Sequence, residues 1–327
     1  MNFDFHFNAV LTSSEVISVL FSEIVLTIFA TFVAINGLQI YKNWNFESLL
    51  ESQFELEKKT YFTTTFIYFI LFVKFFLFIF FANTIDKLSN IVPGAMCGAG
   101  VIGSNNFGIL IFIVKLIFLF LAICWIIINK IDLKSNYIFL KQKYLLFFVM
   151  FGLLAFDFIL QILFFTHISL ESAVQCCSVI YGVSNGNSQI PFAMPQILFI
   201  VVFALVVFLL NISLISKNLW LSFIFGCLFL YFGYYFSLHI LGIYIYELPT
   251  HICPFCMLQR EYYFIGYLVW GVLFFGAFFA IAPNVLNILS GKYSETSFKI
   301  SILFNFIYVI ISLWYICGYY IKNGVWL

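Results

Sequence analysis

The chain has 327 residues, of which 64% are hydrophobic and only 9% are charged, and its mean hydropathy is +1.09. A soluble domain carries about 25% charged residues, so this chain has too few polar side chains to cover a surface that faces water. Composition therefore excludes an ordinary soluble enzyme and predicts a membrane protein. The net charge of +1 offers no basic surface, so no nucleic-acid partner is expected.

Eight apolar runs are long enough to cross a bilayer, which takes about 20 residues. In chain order they cover residues 15–41, 61–83, 106–129, 144–165, 192–216, 218–247, 261–282 and 299–321. Residues 1–14 lack the features of a cleavable signal peptide, so the first run is expected to stay in the protein. The predicted fold class is all-α: a polytopic helical membrane protein with one integral membrane domain over residues 1–327, surrounded by the lipid bilayer.

The basic residues predict the orientation of these helices, because cytoplasmic loops are enriched in Lys and Arg. Of the 15 Lys and Arg residues, ten fall in one set of loops: Lys42, Lys58, Lys59, Lys130, Lys134, Lys141, Lys143, Lys217, Lys292 and Lys299. Only Lys87, Arg260 and Lys322 fall in the other set. We therefore expect both termini to be extracytoplasmic, and residues 44–60 to form an amphipathic helix on the cytoplasmic surface.

The cysteines that lie in loops all fall on the predicted outer side. They are Cys97, Cys176, Cys177, Cys253 and Cys256, in the loops 84–105, 166–191 and 248–260. Cys124, Cys227 and Cys317 lie within apolar runs, where a cysteine is an ordinary small packing residue. Disulfides form and persist outside the bacterial inner membrane. The distribution therefore indicates thiol–disulfide exchange, binding of a soft metal, or structural disulfides that brace the loops.

The pair Cys253 and Cys256, spaced as CxxC, is the most informative of these motifs. The pair directly precedes the seventh run, and a helix N-terminus favours the thiolate form of cysteine. Thiolate is the species that attacks a disulfide or binds a metal. A structural zinc site needs four ligands, commonly two such pairs, and the chain has one CxxC pair, so zinc is disfavoured.

The residues after this pair complete the segment Cys253-Pro254-Phe255-Cys256-Met257-Leu258-Gln259-Arg260. It resembles the CxxCxxQR segment of the DsbB family of disulfide-forming membrane proteins and, less closely, the bacterial vitamin K epoxide reductases. In DsbB-like proteins the segment begins a transmembrane helix on the periplasmic side, and its cysteines pass electrons to a membrane quinone. The resemblance implies that Cys253 and Cys256 are a quinone-linked redox pair, with Gln259 and Arg260 beside the quinone.

The rest of the chain departs from that family. DsbB-like proteins have four spans, and their second cysteine pair follows the CxxC, whereas Cys97 and Cys176–Cys177 precede it here. We predict that a periplasmic thiol protein donates electrons through Cys97 or Cys176/Cys177 to Cys253–Cys256 and then to quinone. The bacterial inner membrane is the expected location.

Two alternatives stay open. The first is handling of copper, for uptake or for assembly of an extracytoplasmic metalloprotein, because thiolates and thioethers select Cu(I). Its candidate ligands are Cys253, Cys256, His251, Met257 and Cys97. The second is a subunit of a larger complex with other membrane proteins, in which disulfides only brace the loops.

Charged residues inside the runs are further candidates, because they are costly in a bilayer. Glu23, Lys74, Lys115 and Asp157 lie at similar distances from the outer ends of their runs, so they are expected to share one level and to form one cluster. It is expected either to hold the helices in register or to serve as a proton route, a polar pocket under the outer loops, or a transport path for an ion. His239 falls at a similar depth and is a candidate contact for the cofactor.

Overall fold

The computed structural model describes residues 9–45, 51–134, 137–174, 190–249 and 251–327. Within these residues the protein is helical and contains no strand. The helices are α1 (Ser14–Asn43), α2 (Glu51–Leu88), α3 (Gly98–Ile102), α4 (Phe107–Lys134), α5 (Leu140–Thr166), α6 (Gln196–Ile215), α7 (Leu219–Phe236), α8 (Gly242–Tyr246), α9 (Ile265–Ser290) and α10 (Glu295–Asn323). A π-helical turn, Ser237–Leu241, joins α7 to α8.

Eight helical segments of the described chain are long and apolar enough to span a membrane, α7 and α8 counting as one. Large apolar side chains such as Phe21, Phe72 and Phe208 are more than half exposed on their outer surfaces. Such a surface requires hydrocarbon around it, because apolar area of this extent is unfavourable in water. The predicted multi-pass all-α membrane fold is therefore confirmed, with a lipid bilayer as its surroundings.

The chain divides into two compact units. Unit 1 comprises Met1–Val92 and Ile102–Ser172, and unit 2 comprises Pro93–Val101 and Ala173–Leu327, as far as these are described. In unit 1, α1 packs against α2 and α5, and α4 packs against α5. In unit 2, α9 packs against α7 and α10, and α6 packs against α7. The expectation of a single integral membrane domain stays a prediction.

Several predicted boundaries differ from the structure, including the start of the second membrane helix and the end of the seventh. Residues 51–60 are not a separate surface helix, because they form the first turns of α2, which has no Pro or Gly from 51 to 88 to end it. The seventh apolar run is predicted to end at residue 282, yet α9 continues past Pro283 to Ser290. A proline removes one backbone hydrogen bond of the helix, and here the helix goes on past it.

The core of unit 2 is aromatic. Phe203 stacks on Phe236 with ring centroids 4.4 Å apart. Tyr308 of α10 is fully buried, and its hydroxyl lies 2.7 Å from Ser237 Oγ and donates to the carbonyl oxygen of Gly233 at 3.2 Å. These bonds satisfy the buried phenol and connect α10 to the π-helical turn.

Candidate functional site

Three cysteine sulfurs meet in unit 2. The Sγ atoms of Cys97, Cys253 and Cys256 all lie within 4.8 Å of one another, and Cys97 Sγ is 3.5 Å from Cys253 Sγ. All three side chains are buried. The structure thus brings one cysteine of an early loop onto the CxxC pair. We call these three residues the sulfur cluster.

A bend in the chain places Cys97. Gly94 has a backbone φ of +80°, a conformation that favours glycine, and a Cβ atom there would lie 2.7 Å from the carbonyl oxygen of Val174. The amide of Val174 donates to the carbonyl oxygen of Pro93 at 2.9 Å. This contact holds the start of the loop, and α3 begins directly after Cys97.

Tyr246 and Trp270 hold the loop that carries the CxxC pair. The buried hydroxyl of Tyr246 donates to the carbonyl oxygen of Cys253 and accepts from the amide of Met257 at 3.1 Å. The indole Nε1 of Trp270 donates to the carbonyl oxygen of Pro254 at 3.2 Å. Sequence reasoning missed this role of Tyr246, which its position shortly before Cys253 could have suggested.

The expectation that the pair opens the seventh membrane helix is wrong. The segments Cys256–Leu258 and Arg260–Tyr262 are short 3-10 turns, and α9 begins only at Ile265. Tyr263 and Phe264 have φ values of 54° and 57°, in the left-handed region that interrupts a right-handed helix. The dipole of α9 therefore does not explain any reactivity of the pair.

Tyr262 lies at the edge of the sulfur cluster. Burial, together with repulsion from Cys256, Glu261 and Cys253 in their ionised forms, raises the pKa of the Tyr262 phenol above its ordinary value. Its ring also contacts Tyr246, with centroids 4.8 Å apart. Near neutral pH the phenol therefore stays protonated and can donate a hydrogen bond.

Replacing Gly266 by Ala is expected to displace the CxxC loop. A Cβ atom at Gly266 would lie 2.5 Å from Met257 Cγ and 2.8 Å from the backbone carbon of Met257. Overpacking of this kind costs about 1–3 kcal/mol, which unfolding by denaturing detergent should measure. Gly271→Ala is the matched control on α9, because nothing lies within 4 Å of the added atom. Equal stabilities of the two variants would contradict the expected clash.

The other predicted residues are placed as follows. Arg260 is exposed and forms no ion pair with any described residue, and Gln259 is half-buried. His239 is buried in the π-helical turn, with its ring stacked on Tyr235 at 6.0 Å. Cys176 and Cys177 lie outside the described residues.

The candidate metal ligands are only partly brought together. His251 is not a member of the group formed by the three sulfurs. Its ring contacts Tyr246 at 4.5 Å, and its buried Nε2 has no hydrogen-bond partner among the described residues. Met257 is fully buried beside Cys256. The sulfur cluster by itself can hold a soft metal ion, since thiolates are the preferred ligands of such ions.

A second constellation lies in unit 1, where four helices meet around buried charges. Lys74 Nζ lies 2.9 Å from both carboxylate oxygens of Glu23 and 2.8 Å from Asp157 Oδ2. Lys115 Nζ lies 2.9 Å from the same Oδ2 and 3.5 Å from Glu23 Oε1. Gln161 Nε2 donates to Asp157 Oδ2 at 3.1 Å and to Glu23 Oε1 at 3.2 Å. We call these five residues the charge cluster.

The structure thus brings together the four charged residues that the sequence placed at one level. All of them are buried, as is Gln161. Sequence reasoning missed Gln161 because it is uncharged, although its position one turn after Asp157 places both side chains on one face of α5. His239, which was expected at a similar depth, lies in unit 2 and is not part of the charge cluster.

A second buried ion pair was also missed. Lys143 is fully buried in α5, and its Nζ lies 2.8 Å from Asp132 Oδ2 and 3.0 Å from Asn129 Oδ1. Asp132 Oδ1 accepts from the amide of Phe139 at 2.8 Å, which fixes the connection between α4 and α5. The predicted orientation counts Lys143 among the ten basic residues of the cytoplasmic loops. Because Lys143 is buried and ion-paired within α5, it does not support this loop asymmetry.

Comparison with known proteins adds no relative. A scan against protein-family models, a search of curated proteins and a search of solved structures each find no match to this chain. The similarity to the DsbB family therefore rests on residues 253–260 alone and stays a prediction.

Proposed function

We propose that this protein is a membrane thiol–disulfide oxidoreductase of the bacterial inner membrane, which passes electrons from a periplasmic thiol protein to a membrane quinone. The observation that supports it is the 3.5 Å between Cys97 Sγ and Cys253 Sγ, with Cys256 Sγ within 4.8 Å of both. Thiol–disulfide exchange needs a thiolate in contact with one sulfur of a disulfide. A third sulfur beside a CxxC pair meets that need.

The transfer begins with a disulfide between Cys253 and Cys256. The thiolate of Cys97 attacks Cys253 Sγ, so that a Cys97–Cys253 bond forms and Cys256 leaves as a thiolate. One thiolate of a substrate dithiol then attacks Cys97 Sγ and releases Cys253. The second substrate thiolate closes the substrate disulfide and releases Cys97. Two electrons have then moved from the substrate to the Cys253–Cys256 dithiol.

The Cys253–Cys256 dithiol would return to its disulfide by releasing two electrons and two protons, and a membrane quinone held beside Gln259 and Arg260 would supply the acceptor for them. The local residues suit such a molecule. The exposed guanidinium of Arg260 has no ion-pair partner among the described residues and can donate to a carbonyl oxygen. The half-buried rings of Tyr234 and Trp270, with centroids 5.6 Å apart and planes tilted by 38°, offer aromatic contacts next to Pro254.

A Cys256→Ser variant is expected to trap the intermediate. With Cys256 gone, mild oxidation should join Cys97 to Cys253, because their sulfurs are already in contact. Alkylation of the remaining thiols, proteolysis and mass spectrometry should find a linked pair of peptides that contain these two residues. Cys124→Ser, a buried thiol of unit 1, is the control and should leave the wild-type pattern of disulfides unchanged. If Cys97 and Cys253 stay unlinked in the oxidised variant, the relay is refuted.

Handling of a soft metal is the second candidate, favoured by the mutual distance of the three buried sulfurs. Three thiolates at this spacing can surround one Cu(I) ion. Purified protein should then contain copper in stoichiometric amount that chelation removes, and Cys97→Ser should lower its copper content. Protein that lacks copper but carries a Cys253–Cys256 disulfide reducible by a dithiol supports the oxidoreductase instead.

A further inference from the structure

We infer that Asp157 and Gln161 form a proton-binding site in unit 1, at which Asp157 takes up one proton on Oδ1. Charged groups inside membrane spans commonly mark proton relays. Proton binding here does not depend on the cysteine chemistry proposed for unit 2, because the site consists of residues from unit 1 only.

The first observation is the uneven use of the two carboxylate oxygens of Asp157. Oδ2 accepts from Lys74 at 2.8 Å, from Lys115 at 2.9 Å and from Gln161 at 3.1 Å. Oδ1 is buried and accepts from no described residue. A buried carboxylate oxygen without a donor is unfavourable. Protonation removes this cost, because it converts Oδ1 from an acceptor into a hydroxyl donor.

The second observation is an acceptor for that new donor. Gln161 Oε1 is also buried without a hydrogen-bond partner among the described residues. Gln161 and Asp157 are one turn apart on α5 and already share the bond from Nε2 to Oδ2. A carboxylic acid and a primary amide form two parallel hydrogen bonds, N–H to O and O–H to O. One of these two bonds is present, and a proton on Asp157 Oδ1 supplies the donor for the other.

The charges around Asp157 can accommodate the added proton. The groups that face it are Glu23 from α1, Lys74 from α2, Lys115 from α4 and Gln161 from α5. Two ammonium groups balance two carboxylates, so proton uptake leaves one positive charge in excess. Glu23 keeps both of its oxygens on Lys74.

Aromatic rings lie next to both ammonium groups. Lys115 Nζ is 4.6 Å from the ring centroid of Phe81, and Lys74 Nζ is 5.6 Å from that of Phe118. The face of an aromatic ring attracts a cation. The excess positive charge of the protonated state therefore has favourable neighbours inside the bilayer.

Unit 1 contains a matched control for this site. Asp132 is also buried beside a lysine, but its Oδ1 accepts from the amide of Phe139 and its Oδ2 accepts from Lys143. Both oxygens of Asp132 thus have donors, so protonation would not relieve an unpaired buried oxygen as it does at Asp157. Asp132 is expected to stay ionised where Asp157 takes up its proton.

Infrared spectroscopy of the full-length protein in lipid bilayers tests the site. As the pH falls, a carbonyl band of a protonated carboxyl group should appear, and ¹³C labelling of aspartate should shift it. The band should vanish in Asp157→Asn, persist in Asp132→Asn, and move in Gln161→Leu, which removes the amide partner.

Three results would overturn the assignment. They are the lack of any such band over the pH range in which the protein stays folded, a band that ¹³C-aspartate leaves in place, and a band that survives in Asp157→Asn. If Asp157→Asn does not fold, the isotope shift in the wild-type protein and the Gln161→Leu shift decide. Thiol oxidation by Cys97, Cys253 and Cys256 is measured separately in Asp157→Asn. If it persists while the carbonyl band is absent from the wild-type protein, the proton site fails and the proposed thiol chemistry stands.

Discussion

Replacing Lys74 by Met is expected to lower the free energy of unfolding by about 3–5 kcal/mol, the usual cost of leaving a buried charge without its partner. Lys74 contacts both oxygens of Glu23 and Oδ2 of Asp157, and its side chain is only 4% exposed. Its removal leaves two carboxylates with one ammonium group between them. Unfolding by denaturing detergent, followed by circular dichroism, should measure the loss.

Lys87→Met is the matched control, because it removes a lysine from the same helix. Lys87 pairs with Glu15 at 3.3 Å, and its side chain is 53% exposed. Exposed ion pairs contribute about 0–1 kcal/mol, so this variant should be close to the wild-type protein. If the two variants lose equal stability, the charge cluster has no special role in holding unit 1 together.

Replacing Cys253 by Ser is expected to reduce quinone-dependent thiol oxidation to the background rate. Cys253 takes part in both disulfides of the proposed relay, because its sulfur bonds first to Cys256 and then to Cys97. Serine is nearly isosteric but cannot form a disulfide, so the fold should persist while electron transfer stops. Reduction of a soluble quinone analogue by a dithiol peptide, with the protein in liposomes, measures the rate.

Cys317→Ser is the control for this experiment, because Cys317 is an exposed cysteine of α10 outside the sulfur cluster. It should retain the wild-type rate. Full activity in Cys253→Ser would exclude the relay and leave metal binding as the better explanation of the three sulfurs.

Arg260→Lys should weaken quinone use but leave the disulfide able to form with a chemical oxidant, because lysine keeps the charge and loses the planar donor fork.

The membrane fold could be predicted from the sequence because a run of about 20 apolar residues is a strong signal on its own. The grouping of Glu23, Lys74, Lys115 and Asp157 could also be predicted. The rise per residue of an α-helix is known, so residues equally far from the outer ends of their helices lie at equal depth in the membrane. The particular bonds could not, since the rotation of each helix about its axis depends on packing. Gln161 shows this limit, because a neutral residue gives no charge signal.

The sulfur cluster was only partly predictable. Cys97 and Cys253 are 156 positions apart, and no local pattern pairs them. The late start of α9 was missed because tyrosine and phenylalanine rarely adopt a left-handed backbone, as Tyr263 and Phe264 do. Lys143 was misjudged because an apolar run does not reveal whether a lysine at its edge turns inward to an acid such as Asp132.

The charge cluster also determines how unit 1 can respond to the thickness of its bilayer. Helices that are free to slide past one another can adjust to a thinner or thicker membrane by shifting along their axes. In unit 1, ion pairs and hydrogen bonds tie α1, α2, α4 and α5 together at one level, through Glu23, Lys74, Lys115 and Asp157. Sliding would separate these buried charges, so hydrophobic mismatch is relieved by tilting of the helices about this level and by deformation of the surrounding lipid.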